Sequence, residues 1–270
     1  ATIHFSFADS DSKREAKIAR DVNEQEITNA LLKLTRGGEK KVYYLTGHGE
    51  ADLTSSAEAG FLFIKEAMSG ENLLLEKISF AENPSVPDDA AALLVLAPKK
   101  SLLPKEVEII ANYLMKGGNI LFAIEPRNSP ELVDFMKPLG ILVGNDVVIE
   151  PVVQIFAGPG LGVQPQVTNY GVHPITEGFG GATVFSTARS VVKAANIPEG
   201  TTVAELALTS GNSWAEKKVD QVFSDNPVSK LDPEDLKGPV PVAAAFDRSG
   251  KSRVVVIGDV DFIANVNLRL

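Results

Sequence analysis

The residues best suited to chemistry lie where apolar runs stop. Val42-Tyr-Tyr-Leu45 leads into Thr46-Gly47-His48-Gly49-Glu50, a turn with an imidazole and a carboxylate two residues apart. Asn119 to Ile124 stops at Glu125-Pro126, and Arg253 to Ile257 stops at Gly258-Asp259-Val260-Asp261. Paired acids are the equipment of glycoside hydrolysis. An imidazole beside a carboxylate serves as a general base or a metal ligand. Gly47 and Gly49 permit backbone shapes that other residues resist.

Other chemistries are excluded or opposed by what is missing. The chain has no cysteine, so disulfides, thiolate metal sites and a cysteine nucleophile are excluded. Its three histidines, His4, His48 and His173, show no helix-borne pair or other metal-ligand spacing, and a zinc site would need carboxylates such as Asp259 and Asp261. No metal and no cofactor is expected. A G-x-S-x-G elbow is absent. Ala245 to Ser252 satisfies a relaxed phosphate-loop pattern, but a strand-forming run follows Lys251-Ser252 where a helix is required, so a hairpin turn is expected. Gly158-x-Gly160-x-Gly162 has the wrong spacing for a dinucleotide fingerprint. For Thr46 to Glu50 two readings stand: a ligand-binding loop, or a structural turn whose imidazole bonds to its neighbours.

The scaffold follows from periodicity. Thr2 to Phe7 alternates as a half-buried strand, and Lys13 to Asp21 is expected to return beside it. Asn23 with Glu26 opens a helix that Gly37-Gly38 ends. Then strands and helices alternate: strand 42–45, a helix capped by Ser55 or Ser56, strand 73–80, strand 91–97, a helix from Pro104, strand 119–124 and a short helix with Leu132 and Phe135. Such alternation predicts an α/β fold with an open, mainly parallel sheet. The organisation expected is a strand or hairpin segment at 1–22, an α/β core at 23–140, and a loop-rich, more β-like part at 141–270. That last part either closes the same sheet or forms a second subdomain. It brings strand-like pieces at 147–153, 182–187, 202–209, 240–246 and 253–257. Trp214, the single tryptophan, is expected to plug the core.

A net charge of −9, from 26 basic and 35 acidic residues, opposes nucleic-acid binding and gives no polybasic lipid patch. Hydrophobic residues at 44% suit a packed globular chain. No apolar run reaches the length of a membrane span. A chain opening at Ala1 reads as an excised segment whose anchoring parts lie outside it.

An ordered set of motifs adds a resemblance. N-E-Q-E-I-T-N-A-L-L-K-L-T-R at Asn23 to Arg36 leads through K-K-V-Y-Y-L to T-G-H-G-E. It is followed by G-G-N-I-L-F-A-I-E-P at Gly117 to Pro126 and N-D-V-V-I-E-P at Asn145 to Pro151. Then come Y-G-V-H-P-I-T at Tyr170, T-S-G-N-S-W-A-E at Thr209, and G-D-V-D-F-I-A-N at Gly258 to Asn265. Together they resemble the GldG-like family, auxiliary components of gliding-motility-type ABC transporters. Glu125-Pro126 stands where Asp-Pro is common in that family.

The resemblance implies a domain on the extracytoplasmic (periplasmic) face of the bacterial inner membrane, anchored by segments outside this chain. It implies a fold similar to the class I glutamine amidotransferase group without that group's catalytic residues; Ala97-Pro98 carries neither Cys nor Ser. The expectation is a non-enzymatic domain that binds permease and ATPase subunits, an exported polymer or an envelope partner. The alternative is a carbohydrate-binding or carbohydrate-active domain using the acidic strand ends. The candidate loop residues are Gly47, His48, Gly49, Glu50, Glu125, Asp259 and Asp261, with no catalytic residue assigned.

Overall fold

A computed structural model describes residues 40–151 and 162–268, together with the strand pairs Phe5–Ser6 with Lys17–Ile18 and Val153–Gln154 with Gly158–Pro159. The helix expected at 23–36 lies outside the described residues. In chain order the main elements are β1 (Lys40–Leu45), α1 (Leu62–Gly70), β2 (Leu73–Ile78), β3 (Ala90–Leu96), α2 (Pro104–Met115), β4 (Asn119–Ala123) and α3 (Pro130–Met136). They continue with β5 (Ile141–Val143), β6 (Val147–Ile149), β7 (Asn169–Tyr170), β8 (Val191–Lys193), β9 (Thr202–Leu208), β10 (Trp214–Glu216), β11 (Pro241–Arg248) and β12 (Ser252–Ile257).

Eight strands form one sheet in the order β7-β9-β11-β12-β4-β3-β1-β2. The run β2-β1-β3-β4-β12 is parallel, and β11, β9 and β7 continue it antiparallel. β12 is the last strand in sequence yet sits at the centre, in register with β4 from Arg253 opposite Asn119 to Ile257 opposite Ala123. The loops after β1, β3, β4 and β12 therefore leave the same end of the sheet. That end, outside the carboxyl ends of parallel strands, is where open α/β sheets meet ligands.

Alternation within β1 shows how the sheet is covered. Tyr43 and Leu45 join a core with Phe122, Ile110 of α2 and Leu132 of α3. Val42 and Tyr44 point the other way, into a core with Phe61 and, from α1, Ile64 and Met68. Burial on both faces explains why β3 reads as a continuous apolar run. α2 starts as its sequence predicts, with Pro104 in the first turn, and it gives way to Gly117 at φ +97°. The antiparallel part has its own core around Val148, Val167, Leu206 and Ala243.

Three expectations change. The helix placed after Ser55 or Ser56 begins at Leu62 without a side-chain cap. Residues 52–61 are turns instead, because the Asp52 carbonyl accepts from Ser55 and Phe61 and the Asp52 carboxylate accepts from Thr54. The strand placed at 147–153 stops at Ile149, and that at 182–187 shrinks to Thr183–Val184. The Asp247 to Gly250 segment joins β11 to β12 as a hairpin turn, with Ser249 and Gly250 both at positive φ.

Candidate functional site

Strand-end loops surround a cleft of about 450 Å³, lined by Glu50, Ala97, Lys99, Glu125, Asn128 and Asp261 among others. Glu50 comes from the β1 loop, Ala97 and Lys99 from the β3 loop, Glu125 and Asn128 from the β4 loop, and Asp261 from the β12 loop. Four loops far apart in sequence thus meet because their strands are parallel neighbours.

The Thr46 to Glu50 turn is built by hydrogen bonds. Gly47 and Gly49 adopt φ of +124° and +75°. The His48 N–H donates to Glu50 Oε2 at 2.8 Å, and the His48 carbonyl accepts from the N–H groups of Lys99 and Lys100 at 2.9 Å each. The imidazole lies between two carboxylates, with Nδ1 3.3 Å from Glu50 Oε1 and Nε2 3.0 Å from Glu106 Oε2. Glu106 sits in the first turn of α2 and also accepts from the Leu103 N–H at 2.8 Å. The β1 loop, the β3 loop and the start of α2 are therefore one bonded unit. In it Glu50 supports the histidine while still lining the cleft.

The second group is acidic and drier. Asp259 is fully buried; its Oδ2 accepts from the Ser186 N–H at 2.8 Å and its Oδ1 from the Asp261 N–H at 2.7 Å. Glu125 Oε1 accepts from the Val260 N–H at 2.6 Å. Loss of water pushes Glu125 up to about 8, and the neighbouring Asp259 charge adds to the shift. Burial pushes Asp259 up to about 7. Both shifts favour the neutral carboxyl over the carboxylate. Asp261 is exposed at the cleft; partial desolvation of its carboxyl raises its pKa and Lys99 opposes the rise.

Arg189 supports this group from behind. Its side chain is almost fully buried, yet its guanidinium meets carbonyls: Gly144 at 2.5 Å, Glu125 at 2.9 Å and Asn128 at 3.3 Å. Desolvation pulls its pKa below the usual arginine range. Its backbone N–H donates to the Gly258 carbonyl at 2.8 Å, so one residue ties the β12 loop to the β4 loop. A Cβ at Gly258 would lie 2.1 Å from the Arg189 carbonyl oxygen, which only glycine avoids.

Thus the structure unites Gly47, His48, Gly49 and Glu50 in one turn, and Glu125, Asp259 and Asp261 in a second group across the same cleft. Asp259 itself contributes no surface to a ligand. Glu106, Lys99, Asn128 and Arg189 were not foreseen. Only Glu106 left a local signal, a glutamate three residues after a helix start. Ala97 adopts a left-handed φ of +49° at the end of β3, a strained backbone shape for an alanine.

A third cluster, Glu216, Asp232 and Asp235, holds three carboxylates within metal-ligand reach of one another. Backbone N–H groups of Lys217, Lys218, Lys230 and Asp232 already bond to Asp235 and Glu216, and Lys218 pairs with Asp232. The arrangement ties β10 to the segment 230–236. Trp214 packs partly buried against Val147 and Ile149 beside it.

No curated protein matches the chain. Among solved structures, "mmIFT52 N-terminal domain" is similar at a TM-score of 0.57 and 14% identity, covering 83% of this chain and 88% of that one. A "Putative thua-like protein" from Bacteroides uniformis gives a TM-score of 0.45 at 15% identity, covering 83% and 84%. The first of these shows a shared fold. The family model for an ABC-type uncharacterized transport system matches residues 39–269. The chain belongs to that family of ABC transport auxiliary components, consistent with the GldG-like resemblance of its motifs.

Proposed function

We propose that this chain is an extracytoplasmic, non-enzymatic domain of a gliding-motility or export type ABC system. In this reading the strand-end cleft face contacts the permease, an exported polymer or an envelope partner. The observation that carries it is Ala97. The fold brings a strained elbow to the ligand-binding end of a parallel sheet, then supplies no nucleophile there. His48 has both ring nitrogens facing carboxylates, those of Glu50 in its own turn and of Glu106 at the start of α2. The strand order β2-β1-β3-β4-β12 with an elbow after β3 also supports kinship with amidotransferase-like folds. The domain reading is an N-terminal hairpin segment, an α/β core to residue 140, and a C-terminal part continuing the same sheet.

Affinity purification of the full-length protein from native membranes tests this. Recovery of an ATPase and a permease in fixed ratio is expected. Recovery of the protein free of both would overturn the reading.

A glycan-binding role is the second reading, favoured by a cleft that mixes Glu50, Asp261, Lys99 and Asn128. Calorimetric titration with oligosaccharides, repeated on Glu50→Gln and Asp261→Asn, checks it. Binding weakened about tenfold in either variant supports a carbohydrate site, since lost hydrogen bonds to charged groups have that size. No heat in the parent protein removes it.

A further inference from the structure

The Tyr170-Gly-Val-His-Pro-Ile-Thr176 motif takes no part in the strand-end cleft. It leaves β7, an edge strand of the eight-stranded sheet, and continues to Phe179. This loop is braced along its length. The Gly171 N–H donates to the Leu206 carbonyl at 3.0 Å, and a Cβ at Gly171 would lie 2.0 Å from the Glu205 carbonyl oxygen, so glycine lets the chain close on β9. Thr176 Oγ1 donates to the carbonyls of Gly171 at 2.5 Å and His173 at 3.0 Å. The His173 carbonyl also accepts the N–H groups of Thr176 and Glu177 at 2.9 Å each, and the Phe179 N–H donates to Thr176 at 3.1 Å.

The braced loop encloses a cavity of about 560 Å³, within the size range of small-ligand sites. One part of its lining is aromatic. The Phe179 ring is half exposed and stands edge to face with Tyr170, 5.0 Å between centroids. Tyr170 is held by its hydroxyl, which lies 2.9 Å from the Val167 carbonyl and 2.8 Å from Thr183 Oγ1. The remainder is largely polar, with Asn169, His173 and Glu177. His173 Nδ1 accepts the Ile175 N–H at 3.1 Å, so a neutral ring carries its proton on Nε2. Asp247, whose charge His173 influences, is bonded to the Gly250 N–H and to Arg253. The exposed side chains of Asn169 and Glu177 have no hydrogen-bond or ionic partner among the described residues.

We propose that this cavity binds a neutral oligosaccharide, with one sugar ring against Phe179 and its hydroxyls on Asn169, His173 and Glu177.

The lining sorts the ligand classes. No lysine or arginine contributes to it, and Glu177 is a carboxylate, so phosphate, sulfate and uronate groups would meet repulsion without a countercharge. A nucleotide is opposed on the same ground. An aliphatic chain would cover three polar side chains and satisfy none of them. A pyranose matches both parts of the lining. Its C–H face is apolar and suits an aromatic ring, while its hydroxyls both donate and accept. They can donate to Glu177, accept from His173 Nε2–H and do both with Asn169. The site is separate from the strand-end cleft and rests on neither reading of that cleft.

The test is titration of the protein with neutral gluco-, manno-, xylo- and chito-oligosaccharides, with a uronate oligosaccharide as the anionic arm. Calorimetry gives the affinity and amide chemical shifts give the place. At least one neutral series is expected to bind, with shifts concentrated at residues 169–179. Phe179→Ala should weaken that binding about tenfold, by loss of the aromatic surface. Glu177→Gln, which keeps the shape and removes the charge, should also weaken it. Both side chains are exposed, and unchanged amide signals in β3 check that each variant is folded. Asp261→Asn in the strand-end cleft should leave the affinity unaltered. No neutral sugar binding more tightly than about 1 mM would overturn the proposal. So would full affinity in Phe179→Ala, preference for the uronate, or shifts confined to Lys99 and Asp261.

Discussion

At the residue scale, His48 is the residue whose role depends most on its neighbours. Its ring bridges Glu50 and Glu106, whose side chains are only 4% and 10% exposed. His48→Ala leaves both carboxylates without that partner, and a loss of about 1–3 kcal/mol in denaturant unfolding is expected. Gly47 tests the turn in another way: at φ +124° an added Cβ is strained even though space is open around it. Gly47→Ala should cost about 1–2 kcal/mol by thermal or denaturant unfolding. The pair His48 and Glu50 was legible because both sit in one turn, two residues apart. Glu106 was not, since 58 residues separate it from His48 and only the packing of α2 beside β1 brings it near. Asp259 was legible as a strand-end acid but not as a buried one. Its environment comes from Ser186 and Glu125, which no local pattern connects to it.

At the element scale, strands were easier to place than the start of one helix. β3 announces itself as an unbroken apolar run, and α2 by Pro104 and the Gly117-Gly118 stop. α1 was placed too early because Ser55 and Ser56 look like caps. Asp52 organises that stretch instead, and Asn265, more than 200 residues away, fixes its far side. The central place of β12 was equally hidden, because a late strand can join any free edge between its neighbours. Two substitutions probe this layer. Phe122 is fully buried in β4 and packs on Phe135 at a ring distance of 6.0 Å. Phe122→Ala should lower stability by about 3–5 kcal/mol in urea unfolding. Gly258→Ala forces β12 and the Arg189 segment apart. It should also cost stability and raise amide exchange at Ser186 and Arg189, where a neutral result would show the close approach to be relaxed easily.

For the whole molecule, proton linkage gives a global readout. Glu125 and Asp259 are held above their ordinary values in the folded chain. Their favourable share of stability is complete below the ordinary carboxylate range and is lost as pH rises through about 7 and about 8. Stability measured by chemical unfolding should therefore decline across that window, and Glu125→Gln should flatten the decline. The fold class was readable as a whole because alternation and apolar runs are repeated signals. The pairing of β9 with β11 and with the two-residue β7 was not, since long loops separate these strands in sequence.

In the proposed role, the carboxyl end of the parallel strands is the face that meets a partner. Site-specific photo-crosslinking in native membranes tests this most directly. A photoreactive side chain is placed at Lys99 or Ala59 on the cleft rim, and as a control at Asn112 or Lys116 at the opposite end of the sheet. Crosslinks to a permease subunit or another envelope component from the rim positions, and none from the control positions, are predicted. Crosslinks from Asn112 or Lys116 alone would contradict the account.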